Sequence, residues 1–200
     1  MAKARSRRDN NLRRQLAYQA ARLMAEDGIT DFAAAKWKAA RQAGLADGNL
    51  LPDNQEIEAA LREYQGLYQS EDQPAHLRRM REVAARVMRD FQEFRPVLVG
   101  SVLSGTAGLH SDVNLQLYAD DPKALALFLL NRRYRFEEGS WQVRRGDQRD
   151  EVPRYRIEVD GIAVTLTVLD RDDERAASSR AAGEAPQRAR LAQVEALLRG

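Results

Sequence analysis

The hydrophobic spacing of this chain changes abruptly at Val97, and this change constrains its fold more than any other feature. On the N-terminal side, apolar residues recur every three or four positions, which is the spacing of a helix with one buried face. On the C-terminal side, short apolar or alternating runs bounded by turn residues predict strands. We therefore expect an α+β protein, with helices first and a mixed sheet flanked by helices second.

Four helices are predicted before Val97. Asp31 is placed to cap the second helix and Gly44 to end it. Arg95-Pro96 is expected to end the fourth, because the residue before a proline avoids helical backbone. The predicted ranges are 11–26, 32–43, a third helix after a 45–53 loop with the stripe Ile57, Leu61, Tyr64 and Leu67 or Tyr68, and a fourth from Gln73-Pro74 that buries Leu77, Met80, Val83, Val87, Met88 and Phe91.

The remaining chain predicts five strands and closing helices. Asp160-Gly161 is a strong signal for a two-residue hairpin turn, and Asp121-Pro122 is a typical helix start. The predicted elements are a strand over 97–99, a strand containing Leu115 and Leu117, a helix from Asp121-Pro122 to Leu130, an edge strand over 140–145, hairpin strands over 154–159 and 162–169, and two helical stretches, the second over 186–198, separated by a linker over 176–185.

These elements suggest three regions: an N-terminal helical region over 1–94, an α+β core over 95–170 and a C-terminal helical segment over 171–200. Residues 1–10 are expected to be a disordered basic arm, since blocks of like charge are usually solvated. The alternative is that this arm binds nucleic-acid phosphates. Its charges are Lys3, Arg5, Arg7 and Arg8, followed by Arg13 and Arg14 and opposed by Asp9.

Composition excludes several classes of protein. The chain has no cysteine, so disulfides, zinc–thiolate sites and thiol catalysis are excluded. The N-terminus has no apolar run after its basic residues, and the longest apolar run, 124–130, is too short to span a bilayer. We expect a cytoplasmic protein with no membrane partner.

The segment with the clearest chemistry runs from Val99 to Leu115. Gly100-Ser101 follows a strand, and glycine allows a ligand to approach the backbone closely while Ser101 adds a hydroxyl donor. Amides at the start of a following helical turn attract phosphate oxygens. The next strand opens on Asp112, and position 114 shares its face because strand residues two apart point the same way. Two carboxylates there would hold Mg²⁺ against a triphosphate.

This segment resembles the nucleotidyltransferase (DNA polymerase beta-like) superfamily, whose signature is Gly-Ser followed about ten residues later by Ser-Asp-x-Asp. Ser101 and Asp112 are eleven positions apart, and Ser111 supplies the serine. Gly105 falls where the family often has glycine. The resemblance implies a phosphate or nucleotide site at Gly100, Ser101, Ser104, Gly105 and Ser111, with Mg²⁺ held at Asp112 and catalysis depending on Asp112 and on positions 114 and 165.

The sequence departs from this pattern at three positions. Asn114 replaces the second carboxylate, Thr165 stands where the third is expected, and Ser104 stands where active members often have arginine. Asn114 offers a neutral oxygen only. Glu158, Asp160 and Asp170 flank the same hairpin and are alternative acids, although turn or surface roles suit them better. Catalysis is therefore expected to be impaired, with Mg²⁺ bound weakly at Asp112.

Several further residues leave their roles open. His110 beside the motif is either a ligand contact or an exposed loop residue. Tyr118 and Trp141 either stack on a nucleobase or pack in the protein. A basic stretch either faces the Gly100-Ser101 turn and binds phosphate, or lies on the outer sheet edge and protects it; its members are Arg132, Arg133, Arg135, Arg144 and Arg145.

Three functional hypotheses follow. The first is a catalytically impaired protein that binds a nucleotide or nucleic-acid phosphate at Gly100-Ser101. The second is an active, metal-dependent nucleotidyltransferase that transfers a nucleoside monophosphate to an acceptor the sequence does not identify. The third is a nucleic-acid-binding module in the N-terminal helices, where Lys36, Trp37, Lys38 and Arg41 follow the Gly28 turn. The sequence identifies no protein partner.

Overall fold

The computed structural model describes residues 2–45, 50–69, 72–121, 123–145, 148–179 and 188–199. The protein is α+β, as predicted, with helices followed by a five-stranded mixed sheet. Its residues pack as two compact units. The helical unit comprises residues 1–76 and 106–111, and the sheet unit comprises residues 77–105 and 112–200. The predicted boundary at 94–95 separates helices from strands, whereas this grouping places most of the fourth helix with the sheet.

In its described residues the helical unit contains α1 (Ala2–Glu26), α2 (Phe32–Gln42) and α3 (Asn54–Tyr68), followed by the first residues of a fourth helix. Helix α1 begins at Ala2, so the backbone over 2–10 is helical where the sequence predicted a disordered arm. The physical reason is that this segment consists largely of alanine, arginine and lysine, which have high helix propensity. The loop predicted over 45–53 lies partly outside the described residues, because 46–49 are not among them.

The predicted cap and stop of α2 are confirmed, whereas the capping box that starts α3 was not predicted. The Asp31 carboxylate accepts a hydrogen bond from the Ala34 amide over 2.6 Å, and Gly44 adopts a left-handed φ of 71° after α2. Asp53 and Glu56 form a reciprocal capping box at the start of α3. The predicted stripe is buried at Ile57, Leu61 and Tyr64, whereas Leu67 and Tyr68 are 66% and 65% exposed.

Helix α4 (Asp72–Asp90) leads into the sheet unit, where a 3-10 turn (Gln92–Phe94) and the left-handed Arg95 end the helical path before Pro96. The strands are β1 (Val97–Val99), β2 (Val113–Tyr118), β3 (Phe136–Arg145), β4 (Gln148–Val159) and β5 (Ile162–Leu169). Their order is β1-β2-β5-β4-β3, and only the β2–β5 pair is parallel among the strand pairs described. Short helix α5 (Ser101–Ser104) and helix α6 (Lys123–Asn131) connect β1 to β2 and β2 to β3.

The sheet has one face of buried apolar residues and one mixed face. On the buried face, β2, β5 and β4 contribute Val113, Leu115, Leu117, Val164, Leu166, Val168, Tyr155 and Ile157. The predicted stripe of α4 is buried in the same unit except at Leu77, which is half-buried. The centroid of the Phe91 ring, after α4, lies 4.9 Å from that of Phe128 in α6. Successive residues of a strand point to opposite faces, so the residues that alternate with these apolar ones form the mixed face.

Two closing helices differ from the prediction. Helix α7 (Arg171–Ser179) extends through residues 176–179, where a linker was predicted, because the alanines there prolong a helix that starts on three acidic residues. The rest of that linker, 180–185, lies outside the described residues. Helix α8 (Leu191–Arg199) begins later than residue 186, since Ala189 instead exchanges two backbone hydrogen bonds with Leu98 of β1. None of the described helices combines the length with the apolar composition that a membrane span requires.

Candidate functional site

A row of polar side chains crosses the mixed face of the sheet. Asn114 of β2 pairs with Thr165 of β5, Thr165 pairs with Arg156 of β4, and Arg156 pairs with Glu137 of β3. Directly paired residues share a face, so these four side chains point to the same side of the sheet. We call Asn114, Thr165, Arg156 and Glu137 the polar row. It contains two of the three positions at which the sequence resemblance placed metal ligands.

Asp112, the third of those positions, is held by two members of the polar row. The Thr165 hydroxyl donates to Oδ2 of Asp112 over 3.1 Å, and Nε of Arg156 lies 3.3 Å from the same oxygen. The hydrogen bond and the charge of Asp112 raise the pKa of Arg156 above its usual value. The Asp112 side chain is 28% exposed and Thr165 only 2% exposed. The carboxylate is therefore neutralised within the protein, at the edge of solvent.

The Asn114 side chain offers one neutral oxygen where the resemblance expects a carboxylate. Its Nδ2 donates to the backbone carbonyl of Asp112 over 3.1 Å, which fixes the orientation of the amide. One carboxylate engaged by a guanidinium, one hydroxyl and one amide form a poor donor set for Mg²⁺, which prefers carboxylates together with phosphates. No group of three acidic or histidine side chains suited to a metal occurs among the described residues.

The Gly100-Ser101 turn lies beside this cluster. Val99 pairs with Asn114, and the same antiparallel register continued by two residues puts Ser101 opposite Asp112. Gly100 has φ 76° and ψ −156°, a backbone conformation that only glycine adopts readily. Its carbonyl accepts hydrogen bonds from the amides of Leu103 and Ser104, each over 3.0 Å, which closes the single turn of α5. Gly100 is exposed, so backbone with no side chain lies next to Asp112 and Asn114, two of the positions where the resemblance expects metal ligands.

Arg81 of α4 fixes the other end of this turn. Its guanidinium donates to the carbonyls of Val102 and Leu103 over 3.1 and 3.4 Å. Partial burial lowers the pKa of Arg81 from its usual value. Gly105, with φ 89°, follows, and its amide donates to the Ser101 carbonyl. The Ser104 hydroxyl also donates to that carbonyl, over 3.5 Å. Ser104 and Gly105 therefore stabilise the turn through hydrogen bonds to the backbone of Ser101.

Ser111 and His110 belong to the helical unit rather than to this cluster. The Ser111 hydroxyl accepts a hydrogen bond from the Gly108 amide over 3.1 Å and so closes a local turn. His110 is exposed, and a Cβ at Gly28 would lie within 2.9 Å of its ring. Both side chains therefore have a place in the packing of their own unit.

The alternative acids differ in their surroundings. Asp160 forms an ion pair with Arg86 over 2.7 Å, and its carbonyl accepts from Arg79. Asp170 lies at the start of α7, where its amide donates to Asp173. Glu158 remains exposed on the same face of β4 as Arg156, two residues along the strand. Of these three acids, only Glu158 lies on the surface that carries the polar row.

A groove of about 610 Å³ extends from Arg156 along this end of the sheet. Arg133 and Arg135 line it, together with Glu137, Glu158 and the apolar parts of neighbouring residues. Arg133 and Arg135, from the predicted basic stretch, therefore share a surface with Arg156. The side chains of Arg144 and Arg145 lie outside the described residues.

Arg156 is the residue of this site that the sequence did not single out. It lies in the predicted 154–159 strand, and its parity with Glu158 is visible from the sequence. The missing information is the register between β4 and β5, which places Arg156 opposite Thr165. The sequence signal that could have indicated Arg156 is its basic side chain four positions before the Asp160-Gly161 turn.

No protein-family model matches the chain, and comparisons with curated proteins and with solved structures also find no match. The resemblance to nucleotidyltransferases therefore remains a prediction that rests on the motif between Gly100 and Asn114.

Proposed function

We propose that this protein is a nucleotidyltransferase-like protein with impaired catalysis, which binds the phosphate of a nucleotide or nucleic acid at the Gly100-Ser101 turn without needing Mg²⁺. The observation that carries the proposal is the ion pair between Arg156 and Asp112, at 3.3 Å. A guanidinium stands where the resemblance would have placed a metal ion.

Charge explains why a guanidinium in place of a metal ion favours phosphate binding over transfer of a nucleoside monophosphate. A lone Asp112 carboxylate would repel a phosphate, and Arg156 cancels that repulsion while keeping further N–H donors for an anion. The guanidinium cannot supply the metal-activated hydroxyl that transfer of a nucleoside monophosphate requires. Asn114 and Thr165 contribute no charge. The site therefore keeps features that attract phosphate and lacks those that would activate an attacking group.

The shape of the turn supports the same ligand. Gly100 is exposed and has no side chain, so a phosphate oxygen can reach the backbone beside Ser101. Ser101 is half-buried and offers both an amide and a hydroxyl. Arg133 and Arg135 add positive charge along the adjoining groove. Arginine is suited to phosphate because its planar N–H groups match two phosphate oxygens at once.

The experiment is calorimetric titration of the full chain with ATP, once in EDTA and once with Mg²⁺ or Mn²⁺. We expect similar affinity in both, and at least ~10-fold weaker binding by Arg156→Met, because the charge-assisted contact is lost and Asp112 is left unpaired. Arg171→Met is the matched control, since Arg171 also forms an ion pair in the sheet unit and is 46% exposed, against 52% for Arg156. Binding that requires metal, or no binding at all, would contradict the proposal.

An active metal-dependent nucleotidyltransferase is the competing function. Incubation with labelled nucleotide, metal and mixed RNA, protein or small-molecule acceptors tests it directly. Labelled product that disappears with Asp112→Ala would establish that enzyme and overturn the impaired-catalysis proposal. We expect no labelled product from either protein.

A further inference from the structure

The mixed face of the sheet carries a second feature beyond the Asp112 cluster. We infer that strands β3 and β4 form a binding surface for single-stranded nucleic acid, on which Trp141 stacks against a base while Arg135 and Arg154 contact phosphates. This inference deepens the proposed function, on which it rests, by naming the ligand as a strand of several nucleotides rather than a free nucleotide.

Trp141 has the position and exposure that base stacking needs. It lies in β3 two residues after Gly139, whose partner is Arg154, so Trp141 shares the face of the polar row. Its side chain is 49% exposed, although an apolar cluster that includes its partner Val152 lies on the same face. The Arg154 guanidinium carbon lies 4.7 Å from the Trp141 ring centroid, which orients the indole and leaves substantial ring surface in solvent.

The arginines along this surface have charge available for phosphate. Within the described part of the chain, Arg133, Arg135 and Arg154 have no acidic side chain within ion-pair distance, whereas Arg156 is engaged by Asp112. The same face also carries Glu137, Glu158 and Asp150, the partner of Val143, so the charges of its described residues nearly balance. Such a surface favours a ligand that combines aromatic stacking with a few phosphate contacts over one bound by charge alone.

The length of the surface argues for a strand over a single nucleotide. Arg135 immediately precedes β3, and Trp141 lies six residues further along the chain, which corresponds to roughly 20 Å at the strand rise of about 3.3 Å per residue. A mononucleotide cannot contact both ends of such a path. Single strands suit it better than duplexes, because stacking on Trp141 requires an unpaired base.

Trp141 also provides a direct readout of binding. The chain has only two tryptophans, Trp37 and Trp141, so Trp37→Phe leaves Trp141 as the sole indole fluorophore. We would titrate the full-length Trp37→Phe protein with an unstructured thymidine oligonucleotide of about 12 nucleotides, within the site sizes usual for such surfaces. The expected result is quenching of Trp141 fluorescence and binding that weakens as salt rises from about 50 to 200 mM.

Variants locate the contact. Measured by anisotropy of a labelled oligonucleotide, Trp141→Ala and Arg154→Ala are each expected to weaken binding about 10-fold, since the first loses a stacking contact and the second a phosphate contact. Arg78→Ala is the matched control, since Arg78 is an exposed arginine of α4 in the same unit that pairs with Glu82, and it should bind normally. Trp141→Phe retains an aromatic face and should recover part of the affinity. Circular dichroism spectra of all variants exclude loss of folding as the cause.

The outcomes separate this inference from the proposed function. If ATP binds but the oligonucleotide neither binds nor quenches Trp141, the inference is wrong and the Gly100-Ser101 site stands. If neither binds, both proposals fail. Oligonucleotide binding that Trp141→Ala and Arg154→Ala leave unchanged but Trp37→Phe abolishes would overturn the inference and assign nucleic-acid binding to α2.

Discussion

The Thr165 hydroxyl donates to Oδ2 of Asp112 over 3.1 Å and so stabilises this carboxylate. An acid at position 165, as the nucleotidyltransferase pattern expects, would instead repel it. Thr165 is 2% exposed, which keeps water from replacing it. This contact and the Arg156 ion pair reach the same oxygen. The three residues thus form a closed electrostatic cluster.

Replacing Thr165 by valine preserves the side-chain shape and removes the donor to Asp112. We expect Thr165→Val to lower the free energy of unfolding by about 1–3 kcal/mol, because a hydrogen bond to a charged acceptor is lost. Urea denaturation followed by circular dichroism measures this. Thr167→Val, on the same face of β5, is the control and should change stability by less than about 0.5 kcal/mol. Equal effects of the two substitutions would mean that the Asp112 contact contributes no stability.

Gly100 should not tolerate a side chain, for backbone reasons alone. Its φ of 76° with ψ of −156° is unfavourable for any other residue, although a Cβ there would meet Asn114 Nδ2 at an ordinary 3.6 Å. Gly100→Ala is expected to cost about 1–3 kcal/mol of stability and to weaken ATP binding. Gly139→Ala is the control in the same unit, because a Cβ there meets nothing closer than 4.0 Å and φ is ordinary. A fully stable Gly100→Ala protein would contradict the strain argument.

Restoring the acids should restore metal binding. In the triple variant Asn114→Asp, Thr165→Asp, Arg156→Ala, three carboxylates including Asp112 would replace the present neutral cluster. We expect Mn²⁺, followed by electron paramagnetic resonance, to bind at least ~10-fold more tightly than to the wild type, since carboxylates dominate such sites. Asn114→Asp alone, with Arg156 retained, should gain little. If the triple variant is folded by circular dichroism and yet gains no Mn²⁺ affinity, the cluster does not have the geometry of a metal site.

Alkaline pH should destabilise the helical unit through Tyr64. The hydrogen bond to Glu26, with burial, raises the pKa of Tyr64 to about 12, above the ordinary value of roughly 10 expected when unfolded. The folded state therefore holds this proton more tightly, so its contribution to stability is fully present below pH ~10 and is lost as pH rises to about 12. Urea denaturation across this range should show a smaller pH-dependent decline for Tyr64→Phe.

Glu26→Gln tests the cause of this shift, because it removes the charged acceptor and keeps the side-chain size. Spectrophotometric titration of tyrosinate should then lose its most alkaline component. If that component persists in both Glu26→Gln and Tyr64→Phe, the shift belongs to another tyrosine.

Most of the fold follows from local sequence signals. The Asp31 cap, the Gly44 stop and the Asp160-Gly161 hairpin act within a few residues, and each occurs where predicted. The extension of β3 back to Phe136 and of β4 back to Gln148 was not predicted. These segments are charged and interrupted by Gly139 and Pro153, and they are held as strands by pairing with each other rather than by an alternating pattern.

The site was predictable only in part, because its chemistry depends on register. The Gly100-Ser101 turn and Asp112 are marked in the sequence by residue type and spacing. That Arg156 would neutralise Asp112 depends on β4 lying antiparallel to β5 with Arg156 opposite Thr165. A shift of one residue would have turned Arg156 toward the core face. Local periodicity does not determine this alignment.

The segment 106–111 has a consequence for how this protein can be dissected. It belongs to the helical unit, where Gln65 and Gln73 donate to the carbonyls of Thr106 and Ala107, each over 3.0 Å. Both neighbouring stretches of chain belong to the other unit, so the polypeptide passes between the units three times, at 76–77, 105–106 and 111–112. A single cut at 76–77 leaves the whole sheet unit on one fragment, together with 106–111, but removes that segment from the helical unit. Truncation, domain shuffling or separate expression of the N-terminal half would therefore give an incomplete helical unit, because the carbonyls to which Gln65 and Gln73 donate lie on the other fragment.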